Sequence, residues 1–267
     1  MHSISIEGKV AIVTGAAGLL GKEFCLALAN AGAHVIATDI EVERCSELIE
    51  SFVPESRALR CNVTDYASVV ALRNEVLSDF GSIDILVNNA AINDAVEAAD
   101  KPAVEASQFE HYPYTLWERV MNVNVGGMFL CSQILGSAML ASSGGSIINI
   151  ASTYGLVAPD QSIYHDGTEQ RFFKSAVYPT SKAAVLGFTR FLAAYWAKHN
   201  IRVNALSPGG ISNHQDEYFI RNYSERVPLG RMAEPHEYSD ALLFLASNAS
   251  SYMTGANLVI DGGWTAI

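Results

Sequence analysis

Apolar positions along the chain follow two rhythms. Seven short runs dominated by aliphatic residues stand out: KVAIVTG, HVIATD, RALRCNV, DILVNNA, GSIINIAS, IRVNALSPGG and NLVIDGG. Runs of this length, continuous rather than alternating, predict strands buried on both faces. Between them apolar residues recur every three or four positions, as in GKEFCLALANAG, EVERCSELIESF and DYASVVALRNEVLSDFG. That spacing predicts helices, the first ending at Gly32 and the third capped by Asp65. Two longer helix patterns, GGMFLCSQILGSAML and AAVLGFTRFLAAYWAK, follow in the second half. Strands alternating with helices predict an α/β fold: a doubly wound parallel sheet of about seven strands with helices on both faces. With no linker, repeat or low-complexity stretch, residues 1–267 read as a single domain.

Composition narrows the picture. Of 267 residues, 49% are hydrophobic and 17% charged, as in ordinary globular proteins. The formal net charge of −11 would repel a phosphate backbone, and no basic run reverses it locally, so no nucleic-acid partner is expected. The start, MHSISIEGKV, lacks the apolar core of a signal peptide, and Arg190 interrupts the longest apolar helix pattern. No membrane span is therefore expected. Cys25, Cys45, Cys61 and Cys131 are far apart, with no C-x-x-C. Neither a metal site nor a disulfide framework follows, and a reducing cytoplasm is the plain expectation.

The first strand runs into VTGAAGLLGKEF, which sets Gly15, Gly18 and Gly21 where a strand turns into a helix. Such glycines serve a tight turn and helix–sheet packing. They also let a pyrophosphate approach the N–H groups and positive dipole end of the helix. The second strand ends in Asp39, 18 residues beyond Gly21, close to where a Rossmann-type site places an acid on the adenosine ribose. A carboxylate there accepts hydrogen bonds from a 2′-hydroxyl and repels a 2′-phosphate. Neither residues 16 and 17 nor residue 40 is basic, so NAD is expected over NADP.

AVYPTSKAAV, at 176–185, carries candidate chemistry. On a helix, Tyr178 and Lys182 share a face. A phenol normally ionises near pH 10. A neighbouring ammonium favours phenolate, which makes tyrosine usable as a proton donor or acceptor at neutral pH. Y-x-x-x-K alone is equally a helix start with proline in its first turn. It gains meaning after a dinucleotide fingerprint, an NNA after a strand and a serine after the next.

With these motifs the chain resembles the short-chain dehydrogenases/reductases along nearly its whole length: TGAAGLLG at 14–21, NNAA at 88–91, NVNVGG at 122–127, NIAS at 149–152, YPTSK at 178–182, SPGG at 207–210 and LASNASSYMTGANLVIDGG at 245–263. The resemblance implies a catalytic tetrad. Tyr178 would be the acid/base, with Lys182 lowering its pKa and holding the nicotinamide ribose. Ser152 would hydrogen-bond the substrate oxygen, and Asn124 would anchor a water joining Lys182 to solvent. Without the family pattern, Ser152 reads as a turn residue and Asn124 as an N-cap. The cofactor would lie along Gly15, Gly18, Leu20, Gly21, Asp39, Asn62, Val63, Asn89, Ala90, Tyr178, Lys182, Pro208, Gly209 and Ile211.

Several positions depart from the family pattern. Leu19 stands where the compact branch has its middle glycine, Ala91 ends the NNAG motif, and Asn62 replaces an aspartate that often contacts adenine. Ser152 and Tyr178 are 26 residues apart, about twice the usual gap. Three polar, aromatic-bearing segments, near 93–113, 154–176 and 211–228, are expected to surround the cleft. They suit a hydroxyl-rich small-molecule substrate, or else form surface and subunit contacts. The motif combination looks most like oxidoreductases of bacterial surface-sugar and flagellin-glycan pathways. The resemblance leaves three readings: an NAD-dependent alcohol/ketone oxidoreductase on a sugar-like substrate, a 3-oxoacyl-carrier-protein reductase, or a non-catalytic NAD sensor. The two long helices are apolar beyond one sheet-facing stripe, and the tail holds Trp264 and Ile267. From both, a homotetramer is expected.

Overall fold

In the computed structural model, residues 4–50, 52, 55–93 and 103–267 are described. All seven expected strands form. They are β1 (Val10–Thr14), β2 (His34–Asp39), β3 (Arg57–Arg60), β4 (Ile85–Asn88), β5 (Gly145–Ile150), β6 (Ile201–Pro208) and β7 (Asn257–Ile260), in one sheet of order β3-β2-β1-β4-β5-β6-β7. Every pairing is parallel. From β1 the chain winds outward to β3, then crosses back to lay β4 on the other side of β1. The C-terminal ends of β1 and β4 therefore flank a crevice, the usual ligand position in such sheets.

Helices cover both faces. These are α1 (Leu19–Asn30), α2 (Val42–Ile49), α3 (Tyr66–Phe80), α4 (Ala103–Ser107), α5 (Tyr114–Met121), α6 (Met128–Cys131), α7 (Val177–Trp196), α8 (Glu217–Ser224) and α9 (Ser239–Ala246). Side chains of β1 alternate between two cores. Ala11 and Val13 meet Phe24, Leu28, Leu242 and Leu245 on one side, while Val10 and Ile12 meet Leu72, Val76, Leu135, Leu192 and Trp196 on the other. Asp65 caps α3 by accepting from the Ala67 N–H at 3.0 Å, as expected, and Gly32 follows α1 at φ +92.

The sequence reading underestimates one helix. The pattern beginning at GGMFLC is the second half of a run spanning Tyr114–Ala141, in which wide i→i+5 turns occupy Asn122–Gly127 and Ser132–Gly136. Asn124 lies inside that run and not at an N-cap. By length and composition the run could cross a membrane, which corrects the expectation drawn from Arg190. Half of its most apolar window is buried inside the fold, as befits a core helix.

Candidate active site

The glycine turn is held from three sides. Gly15 sits at φ +66, and a Cβ there would lie 2.7 Å from the Ala90 Cα. On Gly21 a Cβ would meet the Gly15 carbonyl at 2.2 Å, so α1 rests directly on the turn. Gly18 is the N-cap of α1 and brings no side chain, which leaves the first-turn N–H groups open to an anion. Leu20 turns instead into the core. Asn89 ties the end of β4 to the turn, its Nδ2 donating to the Thr14 and Gly15 carbonyls, each at 3.0 Å. Thr14 is the residue the motif reading passes over. Its Oγ1 accepts from the N–H groups of Asn89 and Ala90, each at 3.1 Å, and locks the two switch-point strands together.

Asp39 stands at the end of β2 beside this turn. One carboxylate oxygen accepts from the Ala17 N–H and the other from the Glu41 N–H, both at 3.1 Å. The acid is thus braced by backbone at the rim of the crevice. Asn62 is exposed, and its Oδ1 is taken by the Thr64 N–H and hydroxyl. What it can offer a ligand is its amide nitrogen. Val63 is buried against Gly127, where a Cβ would come within 2.6 Å. At the far wall Pro208 ends β6. Gly209 passes too close to Asp261 for a side chain, with a Cβ 2.8 Å from its Cα, and Ile211 bridges to Ala233. These features fit a dinucleotide laid from Asp39 across α1 toward β6.

The tetrad candidates gather where that path ends. Tyr178 and Ser152 line one cleft of about 270 Å³ with Gly209, Ile211 and Leu19. Ser152 Oγ accepts from the Tyr154 N–H at 3.2 Å, which leaves its own proton available to a ligand. Lys182, one helical turn beyond Tyr178, is buried. Its Nζ donates to the Ile150 carbonyl at 2.8 Å and lies 5.6 Å from the Tyr178 ring centroid. Burial pushes the Lys182 ammonium down to about 8. Asn124 accepts from the Ile92 N–H at 2.9 Å and donates to the Ser181 hydroxyl at 3.1 Å, joining α7 to the segment after β4. Burial drives the Tyr154 phenol far above its ordinary range, so it stays a neutral donor at the cleft. A larger cavity, about 390 Å³ near Lys9, Asp84 and Arg202, lies at the opposite ends of the strands and holds none of these residues.

The long gap before Tyr178 is an ordered insert. Its tip is a short hairpin bridging His165 and Gln170, and His165 accepts from the Gly167 N–H, a structural role. The insert docks on α8. Asn222 donates to the Ile163 and His165 carbonyls, Arg226 pairs with Asp160 at 2.5 Å, and Tyr164 packs on Phe219. Tyr164, Phe219 and Tyr223 also line the cleft, as does Asn93, so each of the three expected loops brings at least one residue to it. Part of the first of these loops, 94–102 of 93–113, lies outside the described residues. Trp264 corrects the expectation for the tail. It is buried on its own chain, stacked on Tyr223 at 4.5 Å and edge-on to Tyr154.

Residues 15–265 match the family described as enoyl-(acyl carrier protein) reductase. The chain is 32% identical to 2-dehydro-3-deoxy-D-gluconate 5-dehydrogenase of Dickeya dadantii, covering 100% of this chain and 99% of the relative. It is 36% identical to the 3-oxoacyl-[acyl-carrier-protein] reductase of Thermotoga maritima, covering 97% and 98%. Among solved structures, a gluconate 5-dehydrogenase from Burkholderia cenocepacia in complex with NADP and tartrate superposes with a TM-score of 0.84 at 29% identity, covering 99% and 98%. Matches of this length and identity, on a fold with this crevice, make the chain a member of the short-chain dehydrogenase/reductase family of oxidoreductases.

Proposed function

We propose that the protein interconverts a secondary alcohol and a ketone on a polar, sugar-like substrate, with NAD as its cofactor. The observation that carries this is the meeting of Ser152, Tyr178 and the buried Lys182 at one end of the β1–β4 crevice. Bound there, the nicotinamide supplies the hydride acceptor. Tyr178 takes the hydroxyl proton during oxidation and returns it during reduction. Lys182 favours the phenolate by its charge and is placed to reach a ribose hydroxyl. Ser152 donates to the substrate oxygen, strengthening as charge develops there. Asn124 anchors the proton path between Lys182 and solvent.

Hydroxyls, amides and aromatic faces line the cleft, including Thr153, Tyr154, Asn213, Gln215 and Phe219, which suits a polyol more than an aliphatic chain. The gluconate-type names of two relatives support the same substrate class. The Thermotoga relative favours a second reading, reduction of a 3-oxoacyl thioester. The carboxylate of Asp39, which opposes a 2′-phosphate, and the lack of a basic run for an acidic carrier argue against it. Polyols, sugar acids and an acetoacetyl thioester, each assayed with both nicotinamide cofactors by NAD(P)H absorbance, decide between them. Tyr178→Phe is expected to lose turnover by about 10²–10⁴-fold while NAD binding, read by fluorescence, is unchanged. Near-normal rates would remove Tyr178 from the mechanism.

A further inference from the structure

The insert before α7 is built around one side chain. Gln161 holds the main chain of Lys174 at both ends of its amide. Its Nε2 donates to the Lys174 carbonyl at 2.9 Å, and its Oε1 accepts from the Lys174 N–H at 2.8 Å. Gln170 braces Gln161 by donating to its carbonyl at 2.7 Å. The next residue back, Phe173, is fixed by the Ser107 hydroxyl at 3.0 Å. So anchored, Lys174 is 8% exposed, with its ammonium on Asn93 Oδ1 and 4.4 Å from the Tyr178 ring centroid. Two ammonium groups therefore approach one phenol, from α7 and from the insert.

We propose that Lys174 is a positioning residue for Tyr178: its ammonium holds the ring in place and favours the phenolate, adding to the effect of Lys182. This rests on the reading of Tyr178 as the acid/base. A cation within about 6 Å of a ring centroid is attracted to the ring face. An opposite charge at about 4–6 Å also lowers an acid's pKa by roughly one to three units. Among the described residues, the other titratable groups around the phenol are Lys182 on its own helix, Tyr154 after β5, Tyr164 on the insert and Tyr223 on α8. There is no carboxylate among the described residues lining that cleft. The role gives the insert a purpose in the chemistry, delivered through the backbone hydrogen bonds of Gln161.

Tyrosinate absorbance, titrated with and without Tyr178→Phe, isolates Tyr178 in the wild type and in Lys174→Met, Lys174→Gln and Lys174→Arg. No substrate is needed, so the result stands apart from whether the polyol reading holds. The Tyr178 midpoint is expected to rise by about one unit or more in the Met and Gln variants and to stay near wild type in Lys174→Arg. With a working substrate, the acid limb of kcat/KM for oxidation should move up equally. That is about a tenfold loss at neutral pH, recovered at high pH. An unmoved midpoint in a Met or Gln variant with wild-type circular dichroism overturns the proposal. So does a shift in Lys174→Arg as large as in Lys174→Met, or a loss of rate that high pH does not restore. If the Met variant does not fold, the Gln variant decides.

Discussion

Asp39 does two things with one carboxylate, and its substitution should show both. Its hydrogen bonds to the Ala17 and Glu41 N–H groups brace the glycine turn, while its charge opposes a 2′-phosphate. Asp39→Ala is expected to narrow the proposed preference for NAD over NADP, read as the ratio of kcat/KM values. It should also cost about 0.5–1.5 kcal/mol in a denaturant titration, chiefly because the part-buried Ala17 N–H loses its partner while the Glu41 N–H is exposed to water. A wild-type preference for NADP would contradict the reading of Asp39. Lys182 carries a pH signature. Its folded pKa of about 8 lies below the ordinary 10.5, so the unfolded chain binds the proton more tightly between those values. Its contribution to stability therefore rises with pH across that window and is unfavourable below it. Lys182→Met is expected to gain on the wild type at pH 7, by at most about 3 kcal/mol, and the difference should shrink as pH approaches 10. Urea midpoints at several pH values read this; a pH-independent difference would contradict it.

Among the elements, the glycine turn and the insert contrast in how they are specified. Gly15 adopts φ +66 with no room for a side chain beside Ala90. Gly15→Ala should cost roughly 1–3 kcal/mol in strain and weaken NAD binding, both measurable by thermal melts with and without cofactor. The positive φ is local and is legible as a glycine pattern after a strand, whereas the close approach of Ala90 is not. The insert instead depends on partners far along the chain. Asn222 holds it through the Ile163 and His165 carbonyls, and no spacing rule pairs position 222 with 163. Asn222→Ala loses both of these hydrogen bonds, each of about 1 kcal/mol, and is expected to raise KM by roughly five- to thirtyfold, with kcat little changed. A lower kcat at unchanged KM would place the insert in the chemical step alone.

For the molecule as a whole, the outer face of α7 bears a ladder of rings. Phe188, Phe191 and Tyr195 stack in succession, Phe129 joins from the neighbouring helical run, and Phe191 and Tyr195 are 60% and 67% exposed. Such a stripe calls for a cover, and the helix pair of a second copy across a two-fold axis would supply one. Phe191→Glu is expected to dissociate the assembly in sedimentation velocity, and a monomeric wild type would refute the argument. Trp264 changes the expectation for a chain ending at Gly263. Its stack on Tyr223 lines the cleft side of α8, so shortening should lower activity even where the assembly is unchanged.

Pattern alone determined the order and type of the seven strands, the glycine turn, Asp39, and the Tyr178–Lys182 pair, because each rests on contacts within a few residues or on burial along one element. Tertiary structure decided the rest. Thr14 matters only because β4 crosses back to lie beside β1. Asn124 sits in a wide turn inside a helix, a geometry that no residue pattern signals. Trp264 is buried by α8 and the insert, not left for a neighbour. Lys174 reaches Tyr178 because Gln161 folds the insert back on itself. For Thr14, Trp264 and Lys174 the deciding contact joins residues that chain spacing leaves unrelated, and only the packed fold brings them together.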